Sequence, residues 1–163
     1  MPTEPIWQMT AVAISSAVRS GEISAVEVTE AILDRIEAVD PQLNAFCISM
    51  ADSARATALS IDEQVSRGED PGRLAGVPIS IKDNLYIEGE RTTFGSKWFE
   101  DNVTPEDTPL VARLKEAGAV LIGRTNSPEF GWKGATDNLV FGTTRNPWNT
   151  DRTPGGSSGG ASA

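Results

Sequence analysis

Two short apolar runs flank one well-marked helix, and this arrangement constrains the fold more than anything else in the chain. Val77-Pro78-Ile79-Ser80-Ile81 lies between Gly76 and the polar Lys82-Asp83-Asn84, with the length and content of a buried strand. Ala119-Val120-Leu121-Ile122-Gly123 is a second such run. Between them Thr108-Pro109 opens a helix with a capping side chain and a first-turn proline, and Gly118 closes it. Strand, helix, strand in that order predicts a parallel βαβ unit within an α/β fold.

The preceding residues read as helices packed on that sheet. One covers residues 10–19 and ends at Gly21. A second starts at a capping box of Ser24 and Glu27, carries Val28, Ile32, Ile36 and Val39 at helical spacing, and stops at Pro41. A third covers residues 51–67 with Gly68 as its C-cap, followed by a polar loop over 69–74. From Asn126 onwards Gly, Pro, Asn and Thr dominate. Asn146-Pro147-Trp148 and Thr153-Pro154 are rigid turns leading into Gly155-Gly156-Ser157-Ser158-Gly159-Gly160. Trp132, Trp148 and Phe141 read as packing residues.

Composition removes whole classes of function. There is no histidine and one cysteine, Cys47. A Ser-His-Asp triad, a Cys-His dyad, a His-ligated metal, a thiolate zinc cage and an internal disulfide are therefore all excluded within this chain. Hydrolytic chemistry here must use Ser, Lys or carboxylates, and no cofactor is expected. The net charge of −9, from 14 basic and 23 acidic residues, argues against a nucleic-acid surface. Met1-Pro2-Thr3-Glu4 is no signal-peptide start, and no apolar run approaches the ~20 residues of a membrane span. A soluble, cytoplasmic protein without membrane contact is the expectation.

Lys82 follows directly on the first strand. A lysine leaving such a strand can sit in the crevice at the sheet's carboxyl edge, where desolvation favours the neutral amine that acts as a base. The alternative is a lysine in solvent or paired with Asp83. The glycine–serine run also has several readings. A flexible linker is one. A nucleophile elbow is another, since G-x-S-x-G matches around both Ser157 and Ser158, but that device needs a strand just before it and a histidine elsewhere. A phosphate cradle would need a Walker lysine. The last reading is a glycine-held serine served by a lysine base, with Lys82 supplying the base. Asp83, Glu129 and Asp137 lack a second carboxylate at a meaningful spacing for paired acid–base work.

Taken together, these segments resemble the amidase signature family. The residues that carry the resemblance are Gly76 through Asn84, Arg91-Thr92-Thr93, Gly118-Ala119-Val120 and Gly123-Arg124-Thr125-Asn126. They continue in Glu129-Phe130-Gly131, Phe141-Gly142, Asn146-Pro147-Trp148 and Pro154 through Gly160. The likeness covers essentially the whole chain.

The resemblance implies an α/β/α sandwich with a mixed central sheet and amide hydrolysis through a Ser–cis-Ser–Lys triad. Lys82 matches the family's lysine base and Ser157 its bridging serine, whose peptide bond is cis. Ser158 matches a serine that supports the hydrogen-bond network, and Gly131 lies where relatives bring backbone near the substrate. The family's attacking serine and much of its oxyanion hole belong to a second glycine-rich segment downstream of Ser157, so no nucleophile is assigned within this chain. Residues 1–163 thus read as the N-terminal portion of a single amidase domain, helical over 1–70 and carrying sheet and catalytic loop over 71–163. The expectation is a truncation before the nucleophile segment that is inactive alone.

The leading reading is an amidase acting on a small-molecule amide, with homo-oligomer contacts left open. One alternative is the glutaminase subunit of a tRNA-dependent amidotransferase, which works with a partner subunit. The other is a non-catalytic binding remnant.

Overall fold

The computed structural model describes residues 5–163, so the expectation drawn from Met1 to Glu4 lies outside the described residues. Contacts group the chain into two units. One comprises Met1–Ala38, Met50–Ile79 and Ala112–Ile122, and the other Val39–Ser49, Ser80–Val111 and Gly123–Ala163.

In the first unit a 3-10 turn (Ile6–Gln8) precedes helix α1 (Ala11–Ser20). The Thr10 hydroxyl accepts from the Ala13 N–H at 3.2 Å, and Gly21 closes the helix in the left-handed region. Helix α2 (Ala25–Leu43) starts on the expected capping box: Ser24 N–H donates to Glu27 Oε2 at 2.8 Å and Glu27 N–H to Ser24 Oγ at 3.0 Å. Helix α3 (Ala51–Ser66) adds a cap that local sequence cannot show, because its Asp62 carboxylate accepts from Ala25 N–H at 2.6 Å and Val26 N–H at 3.1 Å. The core here is Val18, Ala25, Val28, Ala54, Ala58 and Ile61. Ile32, Ile36 and Val39 are only half-buried.

Helix α1 runs one residue past the expected 19, and two other helix ends also differ from expectation. Helix α2 runs through Pro41 to Leu43. The Asn44 N–H still donates to Asp40 O at 2.8 Å, and the Asp40 carboxylate takes Ala45 N–H at 2.8 Å and Phe46 N–H at 3.1 Å. One missing donor is tolerated where the following turn is held this firmly. Helix α3 ends one residue earlier than expected, with Arg67 as its cap and Gly68 at φ 72° beyond it.

Strand β1 (Phe46–Ser49) had no signal of its own in the sequence. It joins β2 (Pro78–Lys82) and β3 (Val120–Thr125) in the order β1-β3-β2. Strand β1 is antiparallel to β3, with Phe46 opposite Thr125 and Ser49 opposite Gly123. The flanking bonds of β2 and β3 advance together, Val120 N–H to Val77 O at 2.9 Å and Asp83 N–H to Thr125 O at 3.0 Å, so that pair runs parallel. The sheet is therefore mixed and the α/β expectation holds.

Helix α4 (Pro109–Glu116) supplies the crossover. Gly118 turns its end at φ 85°, where an added Cβ would collide with the Pro71 carbonyl. All six residues of β3 are buried. In β2 only Ile81 is, and among the described residues that strand pairs on one side alone, with β3. A two-residue pair, β4 (Asp137–Asn138) with β5 (Gly142–Thr143), and the short helix α5 (Gly159–Ser162) complete the second unit.

Trp132 and Trp148 are not packing residues: they are 75% and 95% exposed. Phe141 carries the Arg91 guanidinium 5.4 Å above its ring. Among the described residues, no helix is long and apolar enough to cross a membrane.

The end of β2 is fixed to β3 by a buried ion pair. Arg124 Nε donates to Asp83 Oδ1 at 3.1 Å with both side chains withdrawn from water, and Arg124 Nη2 donates to Leu85 O at 2.6 Å. Asp83 also accepts from the Thr93 N–H and hydroxyl. Removing one partner strands the other charge without water. Asp83→Ala is therefore expected to cost about 3 kcal/mol or more, read as the denaturant midpoint, whereas Ser24→Ala at the α2 cap should cost only about 1 kcal/mol.

Candidate functional site

Strand β2 delivers Lys82 at its last position, and the Asp83–Arg124 pair fixes the residue that follows. The Lys82 Nζ donates to Ser157 Oγ at 2.8 Å and to Ser158 Oγ at 3.1 Å. Lys82 lies 75 and 76 positions from these two adjacent serines and meets them in space. The pairing of Lys82 with Asp83, the plainer alternative, is not what forms: the Asp83 carboxylate is occupied by Arg124 and Thr93. Lys82 is half-buried, and desolvation alone pulls its pKa below the ordinary lysine value.

The serine loop is held by its glycines. A Cβ at Gly156 would lie 2.9 Å from both Ala135 N and Lys133 O, and one at Gly159 would collide with the Thr136 hydroxyl. The segment therefore packs backbone against backbone, unlike a flexible linker. The Gly156–Ser157 peptide bond is cis. The Gly160 N–H donates to Asn126 O at 3.1 Å, and the Asn126 N–H donates to Ala45 O at 2.9 Å, tying the loop to the end of β3.

Gly131 adjoins this group. A methyl there would stand 3.6 Å from Ser157 Oγ, 3.7 Å from Lys82 Nζ and 3.8 Å from Asn84 Nδ2. Its conformation, at φ 67°, follows Phe130 at φ 51°. The Phe130 N–H donates to Phe94 O at 2.8 Å, and the two rings stack at 6.0 Å. The structure thus brings together all four site residues read from the sequence: Lys82, Ser157, Ser158 and Gly131.

Two residues were missed. Asn84 stood inside a quoted motif without a role, yet its amide lies beside Gly131. Thr136 is fully buried and bonds to both ends of the serine loop. A lone threonine in a polar stretch carries no signal of that.

An amine next to two hydroxyls, with its proton affinity lowered by burial, can relay a proton between a serine and a bound molecule. Cys47 offers no competing nucleophile, because burial pushes its thiol up to about 12. Among the described residues, no group of three or more His, Cys, Asp or Glu side chains is placed to hold a metal ion.

A family profile described as Amidase matches residues 27–163. The indoleacetamide hydrolase of Bradyrhizobium diazoefficiens is 49% identical over 160 residues, covering 98% of this chain and 30% of that protein. A glutamyl-tRNA(Gln) amidotransferase subunit of Carboxydothermus hydrogenoformans is 48% identical over 158 residues, covering 97% of this chain and 33% of that protein. The chain thus spans about a third of the length of the curated relatives it matches. Among solved structures, a bacterial aryl acylamidase of the amidase signature family superposes with a TM-score of 0.92 at 38% identity, over 97% of this chain and 33% of that one. With the fold, the sequence and the family profile in agreement, the chain belongs to the amidase signature family.

Proposed function

We propose that the protein carrying this chain hydrolyses a carboxylic amide to the acid and ammonia or an amine, in the cytoplasm. Residues 1–163 are then the N-terminal portion of its single amidase domain. The observation that supports this most directly is the meeting of Lys82 Nζ with Ser157 Oγ at 2.8 Å.

In this reading Lys82, as the neutral amine, is the ultimate base and Ser157 the relay. The attacking serine, on a segment downstream of Ser157, forms a C–O bond to the amide carbonyl. Its proton passes to Ser157 Oγ as the Ser157 proton passes to Lys82 Nζ. The proton then returns to the leaving nitrogen as the C–N bond breaks, and water releases the acyl group by the same route. Ser158 supports the relay through its own bond to Lys82, and the Gly131 backbone flanks the substrate.

A second reading is the glutaminase subunit of a tRNA-dependent amidotransferase, favoured by the 48% identity to one such protein. It differs in requiring a partner: stable co-purification of a second subunit, with glutamine as the amide hydrolysed, selects it over the free-standing amidase.

Two outcomes test the role of Lys82. In the full-length protein, Lys82→Ala is expected to lower turnover by roughly 10³-fold or more with the fold retained by circular dichroism; near-normal turnover would refute the assignment. Turnover should also depend on pH in a stated direction. The amine must be neutral, so kcat/KM rises with pH. Because burial lowers the Lys82 pKa, the midpoint of that rise lies below the range of a surface lysine. A pH–rate profile with its rising limb at an ordinary lysine value would contradict the desolvated base.

A further inference from the structure

One buried hydroxyl bonds to the backbone on both sides of the two serines. Thr136 precedes β4, fully buried. Its hydroxyl donates to Gly155 O at 2.8 Å and accepts from the Gly159 N–H at 3.1 Å. One hydroxyl thus uses donor and acceptor together, on two backbone groups that bracket Ser157 and Ser158. Thr136 is itself anchored through its backbone, with its N–H donating to Thr153 Oγ1 at 3.3 Å and its carbonyl accepting from Thr144 N–H at 3.0 Å. The close approach is built in from the other side too, because a side chain at Gly159 would collide with Thr136 Oγ1.

We infer that Thr136 is a positioning residue: its hydroxyl clasps both ends of the serine loop and so holds Ser157 and Ser158 on Lys82. The other anchors each hold one end of the loop: Thr153 Oγ1 reaches Gly155 only at 3.4 Å, and Asn126 O takes the Gly160 N–H at 3.1 Å. Without the Thr136 hydroxyl, Gly155 O and Gly159 N–H lose a shared partner in a buried place, and the loop between them is free to move off the lysine. The catalytic part of this inference rests on the amide-hydrolysis reading, whereas its geometric part does not.

The test uses the full-length protein with Thr136→Val, which keeps the side chain's shape and removes the hydroxyl, and Thr136→Ser, which keeps the hydroxyl. Thr136→Ala stands in if the valine variant does not fold. Two quantities are measured: the pH dependence of Lys82 acylation by acetic anhydride, followed by peptide mass spectrometry, and kcat and KM for an amide. In the valine variant the acylation midpoint should move up towards that of a surface lysine, because water enters as the loop loosens. Turnover should fall about 10²-fold with little change in KM, the cost of misplacing reacting groups. The serine variant should recover most of both. A lower Tm in the valine or alanine variant with the midpoint unchanged would overturn the inference and leave Thr136 a purely structural residue. If the wild-type protein hydrolyses no amide while the midpoint still moves in the hydroxyl-less variant alone, the clasp stands and the proposed function fails.

Discussion

A guanidinium in the middle strand of a sheet has to be answered by other groups, and much of the second unit is arranged around that demand. Arg124 is fully withdrawn from water, a state that costs several kcal/mol unless charge and hydrogen bonds replace the lost hydration. Asp83 provides the charge and Leu85 a carbonyl. Asp83 in turn draws in Thr93 through its N–H and hydroxyl, while the Phe94 N–H donates to the Asp83 carbonyl at 3.1 Å. The chain from Asp83 to Phe94 is thereby folded back on the strand end. Lys82, one residue before Asp83, has its backbone placed by the same bonds.

The serines take their position from the same strand by a different route. Two residues beyond Arg124, Asn126 is also fully buried, and its backbone bonds to Ala45 on one side and Gly160 on the other. Its side chain donates to Gly142 O at 3.2 Å and Thr144 Oγ1 at 3.1 Å, and accepts from Asn138 Nδ2 at 2.7 Å. Asn44 extends this web, donating to Phe141 O at 2.8 Å. The amine and the hydroxyls therefore share one reference point, the carboxyl end of β3. That is where α/β sheets ordinarily gather their ligands. The distance between Lys82 and Ser157 then rests on short polar links to the end of β3 and on the Thr136 bonds to both ends of the serine loop.

How much of this was legible beforehand follows from the range of the interactions. The capping box at Ser24 and Glu27, the crossover helix begun by Pro109, and the two apolar runs are local patterns, and each appears where the sequence places it. Features set by distant partners were not legible. Strand β1 is short, and it forms because β3 offers it an edge. Helix α2 passes Pro41 because Asp40 and Asn44 hold the next turn. The site shows the same division. Lys82, Ser157, Ser158 and Gly131 could be found through family motifs, whereas Thr136 acts on Gly155 and Gly159 across a gap in sequence with no periodic trace. The exposed Trp132 and Trp148 mark the limit of reasoning from residue type, since a large apolar side chain need not be interior.

These two anchoring systems have a joint electrostatic consequence for the lysine. A lysine followed directly by an aspartate would ordinarily find its counter-ion there, and an adjacent carboxylate holds the amine in its charged form. Here Arg124 takes that carboxylate. Burial is then the one influence that shifts Lys82, and it acts towards the neutral amine. The hydroxyls of Ser157 and Ser158 approach Lys82 without bringing a formal charge, and each accepts from its Nζ. The buried ion pair thus serves two ends. It pins the strand that presents Lys82, and it engages the carboxylate of the residue next in sequence, which would otherwise be a candidate counter-ion.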